Sequence, residues 1–123
     1  MAPRKRALVV DDDDPIRIML SKVVERQDVD VDTARDGEEA IDRIGQYGYC
    51  LIVLDLMMPR VDGFEVLKYM EEHHPEKLSH TIIASAMPES EIVRRFDKPV
   101  YRIHMKPFDM QRLIADIQIC MIQ

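Results

Sequence analysis

The 123 residues carry a formal net charge of −6, are 46% apolar and 33% charged, and contain two cysteines and no tryptophan. That length suffices for one domain with its own core; the balance excludes a disordered or fibrous chain, and the negative charge argues against direct nucleic-acid binding, which calls for a basic face. No apolar run approaches the ~20 residues that cross a bilayer, and the basic start MAPRKR lacks the long apolar stretch of a signal peptide, so no membrane association and a cytoplasmic location are expected.

Taken in chain order, Ala7 to Val10 is a short β-branched run suited to a buried strand, and it ends in four consecutive carboxylates, Asp11 to Asp14. Ile16, Met19, Leu20, Val23 and Val24 then fall on one helical face, with Asp14 as the expected N-cap and Pro15 at the first helical position. Asp28 to Thr33 alternates polar and apolar residues, as an edge strand does, and Gly37 to Ile44 has helical spacing. A second buried strand runs from Cys50 to Leu54, followed by a helix from Gly63 to Glu72. A third, Thr81 to Ala84, precedes a helix from Glu89 to Phe96. Val100 to Met105 alternates again, and Asp109 to Ile122 places Met110, Leu113, Ile114 and Ile117 on one face.

Five strands alternating with five helices predict an α/β fold, a doubly wound parallel sheet with right-handed crossovers. With the apolar strands central and the alternating ones at the edges, the strand order is the flavodoxin-like 2-1-3-4-5 of a (βα)5 fold. Ligands of such sheets sit beyond the carboxyl ends of the strands. Asp11 and Asp12 close strand one, Asp55 closes strand three, Ser85 follows strand four and Lys106 follows strand five. Residues scattered in sequence thus converge on one crevice. Clustered carboxylates repel each other by ~1 kcal/mol in water and several times that near a protein surface. A hard divalent cation is the natural offset, and Mg²⁺ takes one or two carboxylates plus phosphate oxygens. Asp13 and Asp14 lie past the strand and are assigned to the loop and the helix cap.

The remaining polar residues read blandly. Cys50 and Cys120 are far apart in sequence, without C-x-x-C spacing, and are expected as buried reduced thiols. His73, His74, His80 and His104 lack ligand spacing and read as surface residues. Asp28, Asp30, Asp32 and Glu39 mimic a calcium loop, but Thr33 stands where that loop needs glycine.

The segments VVDDDDPIR, LDLMMPRVDG, ASA and KPF, in this order and at these spacings, resemble the CheY-like receiver domains of two-component response regulators over essentially all 123 residues. The resemblance implies that Asp55 takes a phosphoryl group from the phosphohistidine of a histidine kinase or phosphotransfer protein. It implies that Asp12 binds Mg²⁺ directly, that Asp11 acts mostly through water, and that Asp55 and the backbone carbonyl of Met57 complete the protein's share. Lys106 matches the lysine that holds a phosphoryl oxygen, and Ser85 the hydroxyl residue that turns toward the phosphate. The KPF segment implies a cis Lys106–Pro107 bond. Such a domain assists its own phosphorylation and relays a conformational change to an output domain or partner, without turnover of an independent substrate. It stands alone or is cut from a longer protein.

One feature departs from the pattern. Ile103 occupies the position where receivers commonly carry Tyr or Phe, leaving Tyr101, expected on the same side of the strand, as the available aromatic. Met57 and Met87 sit two residues beyond the acceptor and the hydroxyl residue, where two apolar side chains would shield an acyl phosphate from water. Ile119, Met121 and Ile122 lie off or beside the main apolar face of the last helix, which suggests contact with an output domain or a homodimer through that helix and strand five. Two contrasting functions compete: a haloacid-dehalogenase-like phosphohydrolase with Asp11 as nucleophile, disfavoured by Pro15 and a chain too short for a cap domain, and a receiver-like module that works unphosphorylated.

Overall fold

Side chains along a strand alternate between its faces, so β1 (Arg6–Val10) sends Leu8 and Val10 into one buried apolar cluster and Ala7 and Val9 into another. In the computed structural model, which describes residues 4–122, four further strands extend β1 into a parallel sheet. They are β2 (Asp30–Ala34), β3 (Leu51–Leu54), β4 (Thr81–Ser85) and β5 (Arg102–Met105), and the spatial order is β2-β1-β3-β4-β5. The expected 2-1-3-4-5 order is therefore present. Every residue of β3 and β4 is buried, whereas β5 is partly exposed along its length.

The two clusters are the two cores, one on each face of the sheet. α1 (Asp14–Glu25) and α5 (Met110–Met121) cover one face with Leu20, Val23, Val24, Leu113 and Ile117. α2 (Gly37–Gln46), α3 (Gly63–His73) and α4 (Glu89–Arg95) cover the other with Ala40, Ile44, Val66, Leu67, Met70 and Ile92. Each large aliphatic side chain so buried contributes about 1.5–3 kcal/mol. α4 is the least anchored helix: it has seven residues, no side-chain hydrogen bond at its cap Pro88, and Ile92 as its one buried residue.

Several local expectations change. α1 is capped by Asp13, whose Oδ1 accepts from the Ile16 backbone N–H at 3.1 Å, while Asp14 is the first helical residue and Pro15 the second. Both positions lack an intrahelical partner for N–H, so proline is tolerated at either. A 3-10 helix over Pro75–His80, absent from the sequence expectation, leads into β4. His104 is not a surface residue: its side chain is 10% exposed and its Nε2 lies 2.7 Å from Asp116 on α5. Cys120 is buried and its thiol is pushed up to about 11 by that burial, but Cys50 is only half-buried, and the Cys120 thiol approaches the Cys50 carbonyl at 4.0 Å. Tyr101 packs against the core under α1 and α5 and Ile103 against the opposite one, so the two do not share a side. At the end of α5, Met121 is buried, while Ile119 on the helix and Ile122 just past it are exposed. Among the described residues no helix is long and apolar enough to cross a membrane.

Candidate functional site

Parallel register brings the tips of four strands to one end of the sheet. The backbone N–H of Asp55 donates to the Val10 carbonyl at 3.0 Å, that of Asp11 to Ala34 at 3.1 Å, and that of Lys106 to Ser85 at 2.9 Å. These ladder bonds, continued one residue past the strands, fix where each functional side chain leaves the sheet. Asp11, Asp55 and Ser85 are buried, and Asp12 is exposed. The expected constellation is thus assembled: Asp11, Asp12 and Asp55 each place a carboxylate oxygen within 4.8 Å of the others. The Lys106 ammonium stands 2.9 Å from Asp11 Oδ2 and 3.5 Å from Asp55 Oδ2. The Lys106–Pro107 bond is cis.

Burial, with the neighbouring Asp11 charge, pushes the Asp55 carboxyl up to about 6, against the pull of Lys106 and of the Met57 N–H that donates to its Oδ1 at 3.2 Å. For Lys106, burial opposes the charge, and the carboxylates of Asp11 and Asp55 more than offset it, so the ammonium is held above its usual range. Asp55 is therefore mostly ionised at neutral pH yet short of positive partners. Three carboxylates against one ammonium leave a formal charge of −2, and every donor is a hard oxygen. That set fits a small divalent cation better than a soft metal.

The carboxylates are not equivalent. Both Asp11 oxygens are occupied, Oδ1 by the Asp13 N–H at 2.9 Å and Oδ2 by Lys106. Ser85 Oγ accepts from the Met87 N–H at 3.2 Å. The Met57 side chain is exposed, and together with Met87 and Asp12 it lines a cavity of about 340 Å³ beside the cluster. One neighbour went unread in the sequence: Arg17, on the first turns of α1, donates to the Asp11 carbonyl at 3.0 Å and pairs with Asp14. Its signal was the i, i+3 spacing of Asp14 and Arg17, a helix-surface pair.

Comparison with known proteins gives one consistent answer. Residues 7–118 match the response regulator receiver domain family. The chain is 34% identical over 114 residues to the transcriptional regulatory protein ResD of Bacillus subtilis, covering 92% of this chain and 46% of that protein. It is 29% identical to the transcriptional regulatory protein SrrA of Staphylococcus aureus, covering 90% and 45%. It thus spans under half the length of these relatives. Among solved structures, it superimposes on the receiver domain of the Francisella response regulator 1452 with a TM-score of 0.81 at 29% identity, covering 95% and 96% of the two chains. The BeF3-activated DrrB receiver domain gives 0.83 at 25% identity, covering 98% and 100%.

Proposed function

The chain belongs to the response regulator receiver family, and from that premise we propose that it accepts a phosphoryl group on Asp55, with Asp11, Asp12, Asp55 and the backbone carbonyl of Met57 holding Mg²⁺ and Lys106 and Ser85 serving the transferred group. The observation that carries this is the buried Asp55 carboxylate facing the Lys106 ammonium, with two further carboxylates within 4.8 Å. A bound Mg²⁺ would supply charge neutralisation for the transferring group.

The chain's own residues do the rest. Asp55 presents a fixed nucleophilic oxygen, because its other oxygen is held by the Met57 N–H. A bond from the nucleophilic carboxylate oxygen to phosphorus forms as the donor's bond to phosphorus breaks, and the donor leaves with that electron pair. Lys106 lies close enough to both Asp11 and Asp55 to transfer its donation to a new phosphoryl oxygen. The product brings about two negative charges to the crevice. Ser85, whose hydroxyl lies at the end of β4, can turn toward that charge and carry the β4–α4 connection with it. Occupation of both Asp11 oxygens supports an indirect role for Asp11 in metal binding and disfavours it as a hydrolase nucleophile.

The donor is the phosphohistidine of a histidine kinase or phosphotransfer protein, and the free thiols support a cytoplasmic setting. Exposed Ile119 on the last helix and Ile122 just past it support contact with an output domain or a second copy through that helix and β5. The receiver unit comprises residues 1–123 and forms part of a longer protein or acts alone. Its chemistry is confined to gaining and losing its own phosphate.

The deciding experiment is incubation with Mg²⁺ and acetyl phosphate, followed by mapping of the modified residue. Label on Asp55 is expected. Label on Asp11 would favour the hydrolase, and no label at all would favour a module that works unphosphorylated. A second measurement follows from the methionine-lined cavity: replacing Met57 with Asn and Met87 with Glu together should shorten the lifetime of the phosphorylated protein severalfold, because polar side chains would admit and orient water. An unchanged decay rate rejects shielding by the methionines.

A further inference from the structure

Four adjacent aspartates have four different fates in this fold. Asp11 is engaged through both oxygens, Asp13 caps α1, and Asp14 pairs with Arg17. Among the described residues Asp12 has neither a hydrogen bond nor an ion pair to its side chain. Arg17 links these arrangements. Its side chain is only 11% exposed, although most arginines of this protein's ion pairs are far more open. One guanidinium nitrogen, Nη1, donates to the Asp11 backbone carbonyl at 3.0 Å, and Nη2 holds the Asp14 carboxylate. The backbone of Arg17 is fixed as well, its N–H donating to the Asp13 carbonyl at 2.9 Å and its carbonyl accepting from the Ser21 hydroxyl at 2.7 Å.

We propose that Arg17 is a positioning residue for the divalent cation: by clamping the Asp11 carbonyl and the Asp14 side chain, it fixes the turn from β1 to α1 so that, of the four adjacent aspartates, Asp12 is the one whose side chain is left free to bind metal directly, beside Asp55. The planar fork of a guanidinium suits this, since one rigid group satisfies two acceptors at once. The inference rests on the phosphoacceptor reading of the acidic cluster, and it has a distinctive sign. Arg17 is itself a cation near the cluster, so removing it by charge alone would draw Mg²⁺ in more tightly. A positioning role predicts the opposite. Loss of groups that orient metal ligands from behind typically weakens binding by about 10–100-fold.

The test is calorimetric titration of the metal-free protein with Mg²⁺ alone. Arg17→Ala is expected to bind at least about tenfold more weakly than wild type, and Arg17→Gln, which keeps an N–H donor for the Asp11 carbonyl without the charge, to recover most of the affinity. At saturating Mg²⁺ the alanine variant should reach the wild-type rate of labelling by acetyl phosphate, a split that general damage to the fold would not give. Binding by Arg17→Ala as tight as wild type, or tighter, overturns the proposal. Asp12→Asn separates the two levels: weak binding by Asp12→Asn with normal binding by Arg17→Ala overturns the positioning role only, and undiminished binding by Asp12→Asn overturns the reading of the cluster as well. Should Arg17→Ala not fold, Arg17→Lys takes its place, with weakened binding expected and wild-type affinity counting against.

Discussion

Asp55→Asn is expected to take up no phosphate from acetyl phosphate and, in metal-free buffer near neutral pH, to unfold about 5–10 °C above the wild type. The gain arises because the folded protein holds an ionised carboxylate where burial and the Asp11 charge oppose it, pushing its pKa from 3.8 to about 6. A shift of that size, in which the opposing pull of Lys106 is already included, corresponds to at most roughly 3 kcal/mol of unfavourable interaction. The pH dependence has a definite sign. Well below 3.8 the carboxyl is protonated in the folded and the unfolded chain alike, and the wild type suffers no penalty from it. The gap opens as pH rises from there to about 6, where the folded protein too has lost the proton, and stays constant above. Thermal unfolding followed by circular dichroism across this range tests it. A variant no more stable than wild type would mean that Asp55 is already well compensated.

Gly63→Ala should be strongly destabilising, costing about 3 kcal/mol or more. A Cβ built there lies 2.4 Å from the carbonyl oxygen of Asp55 and 2.5 Å from the Cα of Leu56, and both obstacles are backbone. The Gly63 N–H also donates to the Leu56 carbonyl at 3.0 Å, so the start of α3 cannot retreat without breaking that bond. The clash therefore falls on the segment that carries the acceptor. Gly48→Ala is the matched control: nothing lies within 4 Å of its added methyl, and its φ is not positive. Its stability should stay within about 1 kcal/mol of wild type, on the stabilising side if it moves. Urea midpoints for the two variants give the comparison.

Much of this fold could be read from apolar periodicity, because the strands that needed covering on both faces are continuous runs such as LIVL at Leu51 to Leu54. Edge strands were legible by their alternation, but their ends were not. β2 begins at Asp30 and not at Asp28, whose φ of 62° takes it out of an extended path. The identity of the helix cap was hidden for a simpler reason. In a run of four aspartates each is a competent cap, and only the path of the backbone selects Asp13. Asp11, Asp12, Asp55, Ser85 and Lys106 were recognisable because strand ends in a parallel sheet must meet at one edge. Arg17 and His104 were not, since their partners, the Asp11 carbonyl and Asp116, depend on how helices settle on the sheet.

The unequal fastening of the helices decides where this molecule yields. Burial of Ile92 holds α4 by about 1.5–3 kcal/mol, whereas Val66, Leu67 and Met70 hold α3 by about three times as much. Close charges near a protein surface interact with about 4 kcal/mol, enough to dislodge the first and too little for the second. Compliance is concentrated in one short segment immediately downstream of Ser85, and the stiffer remainder serves as the frame against which it shifts.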